Sequence, residues 1–96
     1  MNVGVCKVKL HLPGNRSLKG KRQVIKSIIS RVEGKFKVSV AEVGDNDLWQ
    51  SATLGICCVS NDGRHTNEVL SKIVNFIGDC RVEAQIVDYE IEILAF

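Results

Sequence analysis

The chain has 96 residues, of which 45% are hydrophobic and 25% charged, and its 13 basic and 11 acidic residues give a formal net charge of +2. A chain of this length buries one modest core, so we expect a single domain over residues 1–96 and exclude disordered and fibrous classes. No apolar run approaches the roughly 18 to 20 residues that cross a bilayer, and lysines interrupt the N-terminal segment where a signal peptide would be apolar. The sequence therefore predicts a cytoplasmic protein without membrane association.

The charges are segregated along the chain. Residues 1–37 carry ten basic side chains and one acid, Glu33, whereas residues 38–96 carry three basic side chains and ten acids. The first part has a charge of about +9 and the second a charge of about −7. Positive potential concentrated in this way favours an anionic partner for the first part of the chain.

The first part of the chain predicts a strand followed by a helix. Apolar and polar residues alternate over residues 3–12, as in a half-buried strand. Ser17 is a natural N-cap for the helix that follows, whose apolar residues recur at helical spacing until about Gly34.

A hairpin, a second helix and a last strand are predicted next. Residues 36–41 alternate again, and after a turn at residues 44–47 a second run extends over residues 49–60, so the two runs should pair. The second helix is predicted over residues 66–77 and should stop at Gly78, and residues 82–95 resemble a strand.

The order β-α-β-β-α-β predicts an α+β, ferredoxin-like fold: a four-stranded antiparallel sheet with two helices on one face. The first strand would lie beside the last. Lys7 and Lys9 would then face Glu90 and Glu92 across the open side of the sheet, which favours cross-strand charge pairing over ligand contact for these lysines.

The unpaired positive charge lies between Gly14 and Lys26. Lys19, Arg22 and Lys26 are spaced i, i+3 and i+7, so they form one row on the helix without an acid four residues away. Cations in a first helical turn also oppose the helix dipole, and an anionic partner would relieve both penalties. The alternative is an ordinary solvated basic surface. The residues predicted to bind a phosphate, a nucleic-acid backbone or an acidic protein patch are Arg16, Lys19, Lys21, Arg22 and Lys26.

Patterns for catalysis are missing from the sequence. The glycines from Gly14 to Gly20 are one position too far apart for a phosphate-binding loop, and Arg22 stands where such a loop has Ser or Thr. His11 and His65 lack partners at metal-ligand spacing and a nucleophile to activate. We therefore predict a protein that is not an enzyme and has no cofactor.

The four cysteines indicate free thiols. They lie within or beside apolar runs, and the adjacent Cys57 and Cys58 would point to opposite faces of a strand, so they cannot hold one metal from one side. The sequence predicts buried or half-buried thiols and no metal site.

Aromatic residues are sparse on the predicted sheet. Domains of this topology that bind RNA stack bases on aromatics of the central strands, and those aromatics are missing here, so nucleic-acid contact should be mainly electrostatic. Trp49, at one end of the hairpin, is expected to close the core.

Several segments together resemble the YlxP family of small bacterial proteins. They are Ser17-Leu18-Lys19 with Lys21-Arg22, the run Val38-Ser39-Val40-Ala41-Glu42-Val43, Asp47-Leu48-Trp49-Gln50 and Ser60-Asn61-Asp62. Gly20 and Lys37 depart from the family pattern, where Glu and Asn are frequent, and both changes make this basic segment more positive.

The resemblance implies a ferredoxin-like fold and a bacterial cytosolic protein, and it implies no particular enzymatic reaction. Genes of the family often lie beside those for translation initiation and ribosome-binding factors. This association makes ribosomal RNA or a ribosome-assembly particle the preferred anionic partner.

Two other functions stay open. One is a homodimeric protein-interaction module without RNA binding, in which open sheet faces or edge strands such as residues 91–96 join two copies. The other is catalysis on a small phosphorylated substrate, as in the acylphosphatase version of this topology, for which Arg16 is suggestive but a companion Asn on the third strand is missing.

Overall fold

The computed structural model describes residues 1–81 and 83–96. Its elements follow the predicted order and are β1 (Asn2–His11), α1 (Leu18–Lys35), β2 (Ser39–Gly44), β3 (Ser51–Ser60), α2 (Gly63–Cys80) and β4 (Gln85–Ala95). The sheet has the strand order β2-β3-β1-β4, and every neighbouring pair is antiparallel. The predicted ferredoxin-like α+β fold, with β1 beside β4, is confirmed.

The core lies between the sheet and the two helices. Alternate residues of β1 and β3 are buried against the helices, and each helix contributes one apolar stripe. Because side chains alternate across a strand, the other residues of β1 and β3 point away from the helices. The sheet therefore has one covered face and one open face.

The second helix is longer than predicted at both ends. Asp62 caps its start, since the Asp62 carboxylate accepts hydrogen bonds from the backbone amides of Arg64 and His65 at 3.0 and 3.4 Å. The prediction that Gly78 ends the helix is wrong, because α2 continues to Cys80. Glycine lowers helix propensity by only about 1 kcal/mol, which packing of the apolar stripe on the sheet outweighs.

Two strand boundaries also differ from the prediction. Phe36 lies before β2 because its backbone amide caps α1 by donating to Val32, and its ring contacts Phe76 edge to face at 5.7 Å. The last strand begins at Gln85, and the predicted strand residue Val82 lies outside the described residues.

The predicted charge pairing between β1 and β4 is half right. Lys7 faces Glu90, and their charged groups lie 3.9 Å apart, but Lys9 faces Asp88 instead of Glu92. Both side chains of the Lys7 pair are well exposed, so the pair contributes at most about 1 kcal/mol.

None of the helices described is long and apolar enough to cross a membrane.

Candidate nucleic-acid interface

Four predicted anion-binding residues are exposed, one just before α1 and three along its first half. Ser17 caps this helix as predicted, because its hydroxyl accepts the backbone amide of Gly20 at 2.9 Å. No acid lies in the first turn to offset the helix dipole. Within residues 1–81 and 83–96, none of these four side chains forms an ion pair. We call them the basic surface, and its members are Arg16, Lys19, Arg22 and Lys26.

Lys21, the fifth predicted residue, is not available to an external anion. Its side chain is fully buried, and its ammonium group lies 2.9 Å from the Glu42 carboxylate. The same nitrogen donates to the backbone carbonyls of Asp45, Asn46 and Ser51 at 2.7, 3.2 and 3.2 Å. Since these acceptors surround all three N–H donors, the prediction of anion binding by Lys21 is wrong.

The sequence contains a signal for this burial. The buried residues of α1 are Lys21, Ile25, Ile28 and Val32, which follow one another at helical spacing. Lys21 therefore occupies the first position of the apolar stripe, and Glu42 takes a core-facing position on β2. A lysine in an apolar stripe is buried only when an acid is paired with it.

The buried ammonium group joins the start of α1 to the loop between β2 and β3. Asp45, in that loop, has a backbone φ of 60°, in the left-handed region that few residues other than glycine adopt. Its carbonyl accepts from Lys21 and from the amide of Leu48, while its carboxylate accepts the Ser51 hydroxyl at 2.9 Å. These bonds hold the loop in one conformation against the helix.

A second set of hydrogen bonds connects this loop to the segment before α1. The side-chain Nδ2 of Asn15 donates to the carbonyls of both Ser17 and Trp49, each at 2.6 Å. The Gln50 side-chain amide donates in return to the carbonyls of Pro13 and Asn15, at 3.2 and 3.1 Å. Because one nitrogen binds both carbonyls, the backbone of Trp49 lies directly beside the N-cap of α1.

Gly20 makes this arrangement possible. A Cβ added at Gly20 would collide with the Asn15 side-chain oxygen and would lie 3.1 Å from the Ser17 hydroxyl. The Asn15 carboxamide therefore rests directly on the first turn of α1. A larger residue at position 20 would displace Asn15.

The prediction that Trp49 closes the core is wrong. Trp49 is 54% exposed, and its neighbour Leu48 is 53% exposed. The loop ends one residue later, because β3 starts at Ser51. An exposed tryptophan on a firmly held loop, next to a basic surface, is a feature that the sequence pattern did not reveal, because the hairpin could have folded the ring inward.

The thiols are as buried as the sequence predicts. Cys6 and Cys58 are buried, Cys57 and Cys80 are half-buried, and all four are free. Burial raises the pKa of the Cys6 thiol to about 11, and burial also raises the pKa of Cys58. Raised pKa values disfavour the reactive thiolate at neutral pH. Across the described residues, no group of three or more His, Cys, Asp or Glu is arranged to hold a metal ion.

Comparison with known proteins gives a family but no activity. A family described as "Protein of unknown function (DUF503)" matches residues 3–91. The "Uncharacterized protein YlxP" of Bacillus subtilis (strain 168) is 44% identical over 61 residues, which are 64% of this chain and 66% of that protein. The similarity therefore extends over slightly less than two thirds of the relative, and neither description names a reaction.

Proposed function

Because this chain belongs to the DUF503 family of proteins of unknown function, we propose its function from its own surface: it is a non-enzymatic accessory protein that binds RNA. The basic surface contacts the phosphate backbone through Arg16, Lys19, Arg22 and Lys26. Ribosomal RNA, free or in a ribosome-assembly particle, is the preferred partner, in line with the gene association of the YlxP family.

One observation carries this proposal: four exposed cations without an ion-pair partner among the described residues lie around the start of one helix. The backbone amides there add a partial positive charge, and phosphate is among the anions that bind at such a helix start. Binding would remove the repulsion within the row Lys19, Arg22 and Lys26.

Trp49 favours RNA over an acidic protein as the anionic partner. Bases of single-stranded RNA stack on exposed aromatic rings, and each such contact is worth about 1 to 3 kcal/mol. The Asn15 hydrogen bonds hold the backbone of Trp49 beside the N-cap of α1. A strand of RNA whose phosphates contact the basic surface could therefore place an unpaired base on this ring.

The test is co-sedimentation with bacterial ribosomal particles at low and moderate salt. Wild-type protein is compared with the triple variant Lys19→Gln, Arg22→Gln and Lys26→Gln. The matched control removes the same charge from exposed residues elsewhere, as Lys37→Gln, Arg64→Gln and Lys72→Gln. We expect retention on one particle for wild type and control, and loss in the triple variant.

Three outcomes would contradict the proposal. If all three proteins are retained equally, the basic surface is not the contact. If the wild-type protein is found on none of the particles and does not bind single-stranded RNA in a salt-dependent manner, the protein is not an RNA-binding protein. Loss in both variants alike would mean that net charge, and not this surface, determines retention.

A further inference from the structure

The sheet face that points away from both helices has no covering layer among the described residues. We call it the open face. It is formed by the odd-numbered residues of β1 from Val3 to Lys9 and by their neighbours on the other strands. The helices cover one face of the sheet and leave the other face uncovered.

The open face is divided into an apolar part and a charged part. In one row across three strands, Val59, Val3 and Leu94 are direct neighbours, and the side chains of Val59 and Leu94 are 64% and 38% exposed. Two rows further along β1 and β4, the corresponding positions carry charge, at Lys7 and Glu90, whereas the β3 neighbour of Lys7 is Gly55. The row Val59, Val3 and Leu94 is called the apolar ridge.

A groove lies next to the ridge. It has a volume of about 540 Å³, and its apolar lining includes Val5, Val43, Gly55 and Cys57. Gly55 shapes it, because a Cβ there would lie 2.9 Å from a methyl group of Val43. Since Gly55 has no side chain, the Val43 side chain can lie over it. The groove is deeper at this position than it would be with a larger residue.

The charges on this face do not favour a polyanion. Lys7 is paired with Glu90 at 3.9 Å, and Glu92 also lines the groove. Nucleic acid would meet the acidic side chains of Glu90 and Glu92 at this groove. The chemistry of ridge and groove suits a partner that presents apolar side chains with little net charge.

We infer that the open face binds a second copy of this chain, with the apolar ridge of each copy seated in the groove of the other. The apolar ridge and the groove are adjacent on one surface. A twofold axis between them therefore places the ridge of each copy in the groove of the other, which gives a closed symmetric interface. The contact does not involve the basic surface, which lies on a helix at the other face of the sheet.

The available area is sufficient for a stable pair. The strands have 10, 6, 10 and 11 residues. With a rise of about 3.3 Å per residue and a spacing of about 4.8 Å between strands, the face covers roughly 600 Å² per copy. Contact over the whole open face, its charged rows included, would bury about 1,200 Å² in two copies, which is the lower bound for stable protein interfaces.

The first measurement is molar mass by light scattering and sedimentation over about a hundredfold range of protein concentration. We expect a concentration-dependent shift from monomer to dimer in the wild type. Val59→Lys should shift the equilibrium toward monomer by at least tenfold, because it places a charge in the groove of the partner. The matched control, Leu48→Lys, changes another exposed apolar residue, outside the open face, and should leave the equilibrium unchanged. A wild type that stays monomeric, or a Val59→Lys variant that dimerises like the wild type, would overturn the inference.

A second measurement locates the contact without substitution. Cys57 lines the groove, whereas Cys80 ends α2 on the helix side, and both thiols are half-buried. We expect labelling of Cys57 by a maleimide to slow as protein concentration rises, while labelling of Cys80 keeps its rate. A dimer in which Cys57 is not protected would use another surface, such as the β4 edge, and protection of Cys80 alone would place the contact on the helices. Either result would contradict binding through the open face.

Discussion

The ammonium group of Lys21 lies 2.9 Å from the carboxylate of Glu42, and the Lys21 side chain is completely buried at the first position of the apolar stripe of α1. The same group bonds three carbonyls at the ends of the hairpin loop. One charged side chain thus fixes both the start of α1 and the loop that carries Trp49. The lysine predicted to bind an external anion positions the surface on which the other four lie.

Replacing Lys21 by Met should lower the free energy of unfolding by about 3 to 5 kcal/mol, because the Glu42 carboxylate would be left without its partner in a largely buried site. Urea denaturation measures this change. The double variant Lys21→Met and Glu42→Leu should recover part of the loss. Lys19→Met, an exposed neighbour, should change stability by no more than about 0.5 kcal/mol, and a similar effect at positions 19 and 21 would contradict the burial.

Glycine-to-alanine substitutions at two positions of α1 should have different effects. Gly34→Ala should raise the free energy of unfolding by about 0.5 to 1 kcal/mol, because a Cβ there meets nothing within 4 Å and alanine favours the helix. Gly20→Ala should not raise the free energy of unfolding in this way, since the new methyl group would displace the Asn15 side chain from its hydrogen bonds to Ser17 and Trp49. Thermal unfolding of both variants gives the comparison. An equal gain at both positions would mean that Asn15 moves aside without cost.

Trp49→Ala should weaken binding of single-stranded RNA by about 1 to 3 kcal/mol, a loss of roughly 5- to 150-fold in affinity, because one stacked base loses its platform. Fluorescence anisotropy of a labelled oligonucleotide at fixed salt measures the affinity. Trp49→Phe should keep most of the binding, and Leu48→Ala serves as the control next to it. An unchanged affinity in Trp49→Ala would remove the ring from the RNA-binding surface.

The Trp49 variant also permits a check on the fold. Because the Trp49 side chain is 54% exposed and its carbonyl bond to Asn15 does not depend on the ring, stability should fall by no more than about 1 kcal/mol. A larger loss in thermal unfolding would show that the ring contributes to packing, and RNA affinity would then have to be compared below the unfolding transition.

Stability should fall as pH rises from 9 toward 11 because of Cys6. The pKa of this thiol is raised by burial from 9.0 to about 11 in the native protein, so the unfolded chain loses the proton first. The native state then binds more protons than the unfolded state, and rising pH favours unfolding, with a loss on the order of 2 kcal/mol across this range. The measured quantity is the difference in unfolding free energy between wild type and Cys6→Ala at each pH, in the presence of reductant. If this difference does not change with pH, the Cys6 thiol has the same pKa in the native and the unfolded protein, and the prediction is wrong.

The fold could be predicted because its signals are local. Alternation in β1, the Ser17 cap and the apolar stripe of α2 each depend on residues near in sequence, and the order of the elements then restricts the topology. The errors at Gly78 and Phe36 arose at element ends, where tertiary packing outweighs intrinsic propensity.

Of the five residues predicted to bind an anion, four are exposed and Lys21 is buried. Charge and helical spacing place Lys19, Arg22 and Lys26 in one row on α1. They do not show that Lys21 faces the core, because its burial depends on an acidic partner from a distant strand. Glu42 is 21 positions from Lys21 in the sequence, and only folding of β2 onto α1 brings the two together.

The amino-acid sequence by itself determined the order of the six elements, the sheet topology and the positive first part of the chain, because periodicity, capping and charge are properties of neighbouring residues. Tertiary structure alone decided that Lys21 is buried, that Trp49 is exposed beside the start of α1, and that a groove forms over Gly55 on the open face. These features depend on contacts between segments far apart in the sequence. A group's burial and charge environment are fixed only when those segments pack.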